Sequence, residues 1–158
     1  MSVHHLRPVP EIFFDGVDAM LADARSRLDR VTPRGAYREL LARQAVLVDI
    51  RPGAQRAVEG EVHPVVRPLH VERNVLEWRF DPRSAARVDQ ASYNARVIVL
   101  CQEGYTSSLA ADALVRLGVR RATDVLGGFA AWQEAGLPVV EPVSRPAAPS
   151  APASVRSS

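Results

Sequence analysis

The stretch Val97–Gly118, VIVLCQEGYTSSLAADALVRLG, decides how this chain reads. Its first four residues form an unbroken apolar run, the pattern of a strand buried on both faces, as in a parallel sheet. The run leads directly into Cys101. A short loop, Gln102-Glu103-Gly104-Tyr105-Thr106, follows, and from Ser107 to Leu117 the spacing predicts a helix with Leu109, Ala113, Leu114 and Leu117 facing inward. A residue at the carboxyl end of a parallel strand sits where open α/β sheets place their ligands. Loop amides that curl around the sulfur, together with the positive end of the following helix, favour negative charge there and so a nucleophilic sulfur. Gly104 permits the tight turn. Thr106, Ser107 and Ser108 bring hydroxyls to the helix start, suited to the cap amides or to a bound anion. The plainer alternative is a cysteine that merely ends a core strand.

Outward from this segment the same alternation recurs. Ala45–Ile50 (AVLVDI) is a second apolar strand, with weaker strands expected at Leu69–Val71 and Ala122–Leu126. Helical patterns lie at 54–59, about 82–91, and 129–134. Nearer the start, Asp15 is placed to cap a helix over about 17–30, and Thr32 followed by Pro33 opens another that runs to about Ala42. Strands alternating with helices predict an α/β fold with a central parallel sheet of about five short strands, helices on both faces, and an extra N-terminal helix. Three segments result: an N-terminal arm and helix over 1–30, a domain over 31–140, and a Pro/Ala/Ser-rich tail over 141–158 expected to be disordered.

Composition narrows the function. Cys101 is the only cysteine, which excludes an intrachain disulfide, a CxxC pair and cysteine-rich metal clusters. All twenty basic residues are arginines, set against eighteen acids for a net charge of +2, and they are interleaved with acids rather than clustered. A nucleic-acid partner is therefore not expected. No apolar run reaches the roughly 20 residues of a membrane span, and the N-terminus lacks the pattern of a signal peptide, so a cytoplasmic location is the expectation. His4 and His5 read as solvated residues of the arm, and no metal site or cofactor is expected.

Four segments together resemble the rhodanese-like family. VLVDIR (Val46–Arg51) is similar to its strand ending in Asp-x-Arg, EGEVHP (Glu59–Pro64) to its Gly-His-Ile-Pro stretch, and CQEGYTSS to its active-site loop. DVLGGFAAWQEAGLPV (Asp124–Val139) resembles its closing signature. The resemblance implies a sulfurtransferase. Cys101 takes a sulfane sulfur from a donor such as thiosulfate, and a thiol, cyanide or a protein then accepts it from the persulfide. It also implies that Gln102, Glu103, Gly104, Tyr105, Thr106 and Ser107 cradle that sulfur. Asp49 and Arg51 are supporting candidates, either as positive charge and loop orienter at the site mouth or as a local ion pair before Pro52. Three departures stand out. Thr106 takes a position where many members carry arginine, Glu103 adds negative charge to the loop, and Pro64-Val65-Val66 replaces a Pro-Gly-Ala turn. Glu103 and Thr106, with the extra N-terminal helix, keep a non-catalytic binding or sensing module as the alternative. A phosphatase reading is disfavoured, because Cys-x5-Arg chemistry needs an arginine where this chain has Ser107. The physiological donor and acceptor and the oligomeric state are not readable from the sequence.

Overall fold

Val97, Ile98, Val99 and Leu100 are all fully buried, because β4 (Val97–Leu100) runs through the middle of the sheet with a layer of side chains on each face. The computed structural model describes residues 13–142 of the chain. The expected tail lies almost wholly outside the described residues, as do His4 and His5. β1 (Val46–Asp49) pairs with β4 in parallel, Val46 opposite Val97 through Asp49 opposite Leu100. β3 (Leu69–His70) lies outside β1, and β5 (Thr123–Asp124) lies on the other side of β4, giving the order β3-β1-β4-β5, all parallel. Among the described residues this sheet has four strands, not about five. Beyond β5 the sheet continues only as a single parallel bridge between Val31 and Val125. A separate antiparallel pair joins β2 (Glu61–Val62) to β6 (Val139–Val140).

The two-residue period of the strands divides the core. On one face Val48, Val97 and Val99 pack with Leu76 and Phe80 of α4 (Leu76–Phe80) and with Ala110, Ala111 and Leu114 of α5 (Thr106–Arg116). On the other, Leu47, Ile98 and Leu100 meet Ala36 and Leu40 of α2 (Pro33–Leu41) and Phe129 and Trp132 of α6 (Gly128–Glu134). Burial of a large apolar side chain of this kind is worth about 1.5–3 kcal/mol. α3 (Gly53–Glu59) follows β1 and buries none of its residues. α1 (Val17–Ser26) packs outside α5, with Leu21 and Ala24 buried.

Several local expectations hold and several change. Thr32 caps α2 as its side chain predicts, its hydroxyl accepting the Gly35 N–H at 3.0 Å. α1 starts after Gly16 with no side-chain cap, so Asp15 does not cap it, and it stops at Ser26. The chain must then extend so that Val31 can take the Asp124 carbonyl (3.1 Å) and give its own to Leu126 (2.8 Å). No helix forms over 82–91. There the Asp81 carboxylate accepts the Arg83 N–H at 2.8 Å and the Ser84 hydroxyl accepts the Ala86 N–H at 3.1 Å. Such side-chain bonds compete with a helical ladder. The helical turn comes earlier, where Leu76 and Phe80, four residues apart, both reach the core. The buried face of α5 also differs from the expected one. Ser107, Ser108, Ala110, Ala111, Asp112 and Leu114 are its buried residues, while Leu109, Ala113 and Leu117 are only half-buried. With the sheet on one side and α1 on the other, the small residues are those that fit the close approach. Pro64–Val66 forms a single 3-10 turn in which His63 Nδ1 accepts the Val65 N–H at 3.0 Å.

Candidate active site

Cys101 follows the last residue of β4, and α5 begins five residues later. The loop between them turns back on the sulfur: the Gly104 N–H donates to Cys101 Sγ at 3.2 Å. Gly104 has φ +83°, the left-handed region that favours glycine, and a Cβ there would stand 2.8 Å from the Gly127 nitrogen. The sign of φ then reverses at Tyr105 (−96°). Alternation of this kind curls successive N–H groups into a concave anion-binding nest.

The loop is held from below by α6. Phe129 N–H donates to the Cys101 carbonyl at 2.8 Å and Ala130 N–H to the Gln102 carbonyl at 2.9 Å. The peptides are trans, so the N–H of each unit points opposite to its carbonyl. With these carbonyls turned toward α6, the Gln102 and Glu103 N–H groups face away from it. This approach explains Gly128. A Cβ on Gly128 would lie 2.7 Å from the Gln102 carbonyl carbon.

Cys101 is almost fully buried, yet it lines a cleft of about 450 Å³ together with Arg51, Gln102, Glu103, Tyr105 and Thr106. Arg73, Gln55 and Glu59, none of which the sequence singles out as site residues, line it too, with Ile50 and Pro52. Asp49 and Arg51 meet as a local ion pair at the end of β1, before Pro52. Arg51 is buried and forms an ion pair with Asp49 (Nη2 to Oδ2, 2.7 Å), while the Asp49 carboxylate also accepts the Arg51 N–H at 3.1 Å and so fixes the turn. Its remaining N–H groups donate to the Gly60 carbonyl (3.0 Å) and to Gln102 Oε1 (3.2 Å), with Glu59 at 3.3 Å. The guanidinium lies over the Phe129 ring at 4.2 Å. Arg51 thus tethers the loop through Gln102.

Glu103, Tyr105 and Thr106 are exposed at the cleft. Ser107 departs from its expected orientation. Its hydroxyl is fully buried and donates to Asp124 Oδ2 at 2.7 Å, and the Ser108 hydroxyl does the same at 2.8 Å. Neither hydroxyl is offered to the cleft. Asp124, at the end of β5, also pairs with Arg30 (2.9 Å). Arg30 and Arg25 both donate to the Gly104 carbonyl, at 3.0 and 2.8 Å. These two arginines were not readable as loop supports, since they lie 74 to 94 residues from the groups they hold with no motif linking them. Trp78 is exposed and Phe80 buried, so of the two only Phe80 is core. No group of three or more His, Cys, Asp and Glu suited to a metal occurs among the described residues, and no helix there is long and apolar enough to cross a membrane.

Comparison with known proteins bears on this geometry. The family model described as Rhodanese-like domain matches residues 33–135. A curated relative, the thiosulfate sulfurtransferase GlpE of Actinobacillus pleuropneumoniae, is 33% identical over 109 residues, covering 69% of this chain and 90% of the relative. Among solved structures, a protein of unknown function from Rhodopseudomonas palustris, described as a possible tyrosine phosphatase, superimposes with a TM-score of 0.71 at 27% identity, over 84% of this chain and 99% of that one. The polysulfide-sulfur transferase homodimer of Wolinella succinogenes gives a TM-score of 0.61 at 25% identity, over 78% of this chain and 85% of that one.

Proposed function

This chain belongs to the rhodanese-like domain family, and from that premise we propose that it is a sulfurtransferase working through a persulfide on Cys101. The observation that carries the reading is the sulfur itself, at the end of β4, on an open cleft, accepting the Gly104 N–H at 3.2 Å. In the first half-reaction the Cys101 thiolate attacks the outer sulfur of a sulfane donor such as thiosulfate. A new S–S bond forms, the donor's S–S bond breaks, and sulfite leaves with the electron pair. In the second, an acceptor nucleophile (cyanide, a thiol or a protein thiol) attacks the outer sulfur and Cys101 departs as thiolate. This is covalent catalysis in two displacements. The backbone amides of Gln102 to Ser107 stabilise the terminal sulfur, where charge collects, in the manner of an oxyanion hole. No second cysteine is needed, because an external acceptor resolves the intermediate.

A phosphatase reading meets a specific obstacle. Ser107 stands where a phosphate-gripping arginine would be, and its hydroxyl is turned to Asp124. Intact-mass measurement after incubation with thiosulfate tests the proposal directly. A gain of one sulfur mass, removed by cyanide and absent in Cys101→Ser, is the expected result. Failure of every sulfane donor to load the protein would leave the binding-module alternative.

A further inference from the structure

The Gly104 carbonyl is the meeting point of two guanidinium groups. Arg25 Nη2 donates to it at 2.8 Å and Arg30 Nη2 at 3.0 Å. Arg25 comes from α1, the helix that precedes the family match, and Arg30 from the extended segment after it. Arg30 is neutralised by Asp124. Arg25 is held differently: its Nε donates to Ser108 Oγ at 3.0 Å, its guanidinium lies over the Tyr105 ring at 5.9 Å, and among the described residues it forms no ion pair. A net positive charge therefore sits against the back of the cysteine loop. We infer that Arg25 is a positioning residue for Cys101: from α1 it aims and polarises the loop amides and supplies the fixed positive charge that Thr106 does not.

One peptide unit carries the effect. The Gly104 carbonyl and the Tyr105 N–H share a planar trans peptide, so they point in opposite directions. Drawing the carbonyl back to Arg25 and Arg30 turns the Tyr105 N–H away from them. It also withdraws electron density along the unit, which makes that N–H a stronger donor. Hydrogen bonds from a charged donor are roughly twice as strong as neutral ones. The preceding amide, Gly104 N–H, is the one already on the sulfur. The loop thus has its carbonyls held on two outer sides: those of Cys101 and Gln102 by α6 and that of Gly104 by the arginines. The effect on sulfur transfer rests on the proposed function. The effect on the reactivity of the Cys101 sulfur does not, and this separates the two in experiment.

Cys101 is the only cysteine, so alkylation by the neutral reagent iodoacetamide reports on it alone. Charge and amide alignment speed this reaction by favouring the thiolate. A role confined to packing would act in the other direction, since freeing the loop exposes a buried thiol. Arg25→Gln is expected to alkylate about tenfold more slowly than the parent, the loss of one charge-assisted hydrogen bond. Arg25→Lys, which keeps the charge but not the fork, is expected to fall between them. Far-UV circular dichroism of each variant verifies that it is folded, and Ser108→Ala, which removes one contact of Arg25 and one donor to Asp124 but neither charge, supplies a second folded reference expected to stay within about threefold of the parent. An unchanged or faster rate in folded Arg25→Gln overturns the inference. If the parent alkylates rapidly but no donor loads it, the sulfurtransferase reading fails and the positioning role of Arg25 stands.

Discussion

Asp124→Asn probes the junction on which the rear of the cysteine loop depends. Asp124 is fully buried, and its Oδ2 accepts from Ser107 (2.7 Å), Ser108 (2.8 Å) and Arg30 Nη2 (3.2 Å), while Oδ1 accepts Arg30 Nε (2.9 Å). Every neighbour of this carboxylate is a donor. An asparagine has one acceptor oxygen, and its NH2 must then face a donor. If the oxygen takes the place of Oδ2, both serines keep their bonds and the NH2 confronts Arg30 Nε. Breaking a buried ion pair by removing one partner costs about 3–5 kcal/mol. Arg30 is 15% exposed and can recover some hydration, which puts the expectation at the low end, about 3 kcal/mol. For a chain of this size that corresponds to a fall in Tm of roughly 10 °C. Equilibrium urea unfolding followed by tryptophan fluorescence measures it. The double variant Arg30→Met/Asp124→Asn should be destabilised by less than the sum of the two single variants, because the orphaned charge is gone. A loss below about 1 kcal/mol in Asp124→Asn, or strictly additive effects in the cycle, would refute the account of Asp124 as a charge-paired hub.

Three further outcomes are expected. Glu103→Gln removes a negative charge from the cleft mouth and should raise the rate of loading by thiosulfate, a dianion, by about threefold to tenfold at low salt, with the gain shrinking as salt is added. Gly128→Ala combines a left-handed backbone (φ +62°) with a Cβ driven against the Cys101 and Gln102 carbonyls, so it should cost about 2–5 kcal/mol and depress activity in whatever protein still folds. Thr32→Ala deletes the acceptor for the Gly35 N–H and should lower stability by about 1 kcal/mol with activity retained, as read from parallel unfolding and turnover measurements.

The parallel sheet was readable because β1 and β4 are apolar on both faces, and only burial on both sides calls for that pattern. The cysteine loop was readable because a strand, a glycine and a helix start are all local signals. What escaped depends on side-chain hydrogen bonds and on contacts between distant residues, neither of which periodicity reports. The segment after Pro82 carries helical spacing, yet Asp81 and Ser84 capture its amides and only Val88 and Ala91 pack against the core. The inward face of α5 is set by α1 as well as by the sheet, and no periodicity within α5 reveals a second neighbour. Ser107 could be placed at the cleft by sequence, but the direction of its hydroxyl is decided by Asp124, seventeen residues away. Arg25 and Arg30 looked like two more members of an evenly scattered arginine population until the fold brought them to one carbonyl.

The β2–β6 pair carries a consequence for how the protein is made. Glu61 and Val62 find their partners only at Val140 and Val139, and Trp132 Nε1 donates to the Pro138 carbonyl in the same corner. Synthesis is vectorial, so the early half of the chain leaves the ribosome without the strand that closes it. Central β4 and the Val31–Val125 bridge impose the same delay on β1 and on the segment after α1. Non-local pairing of this kind is slow to form and leaves apolar edges open meanwhile. The nascent chain therefore has little to gain from folding piecemeal: the parallel sheet waits for β5 at Thr123–Asp124, and the β2–β6 pair for Val140.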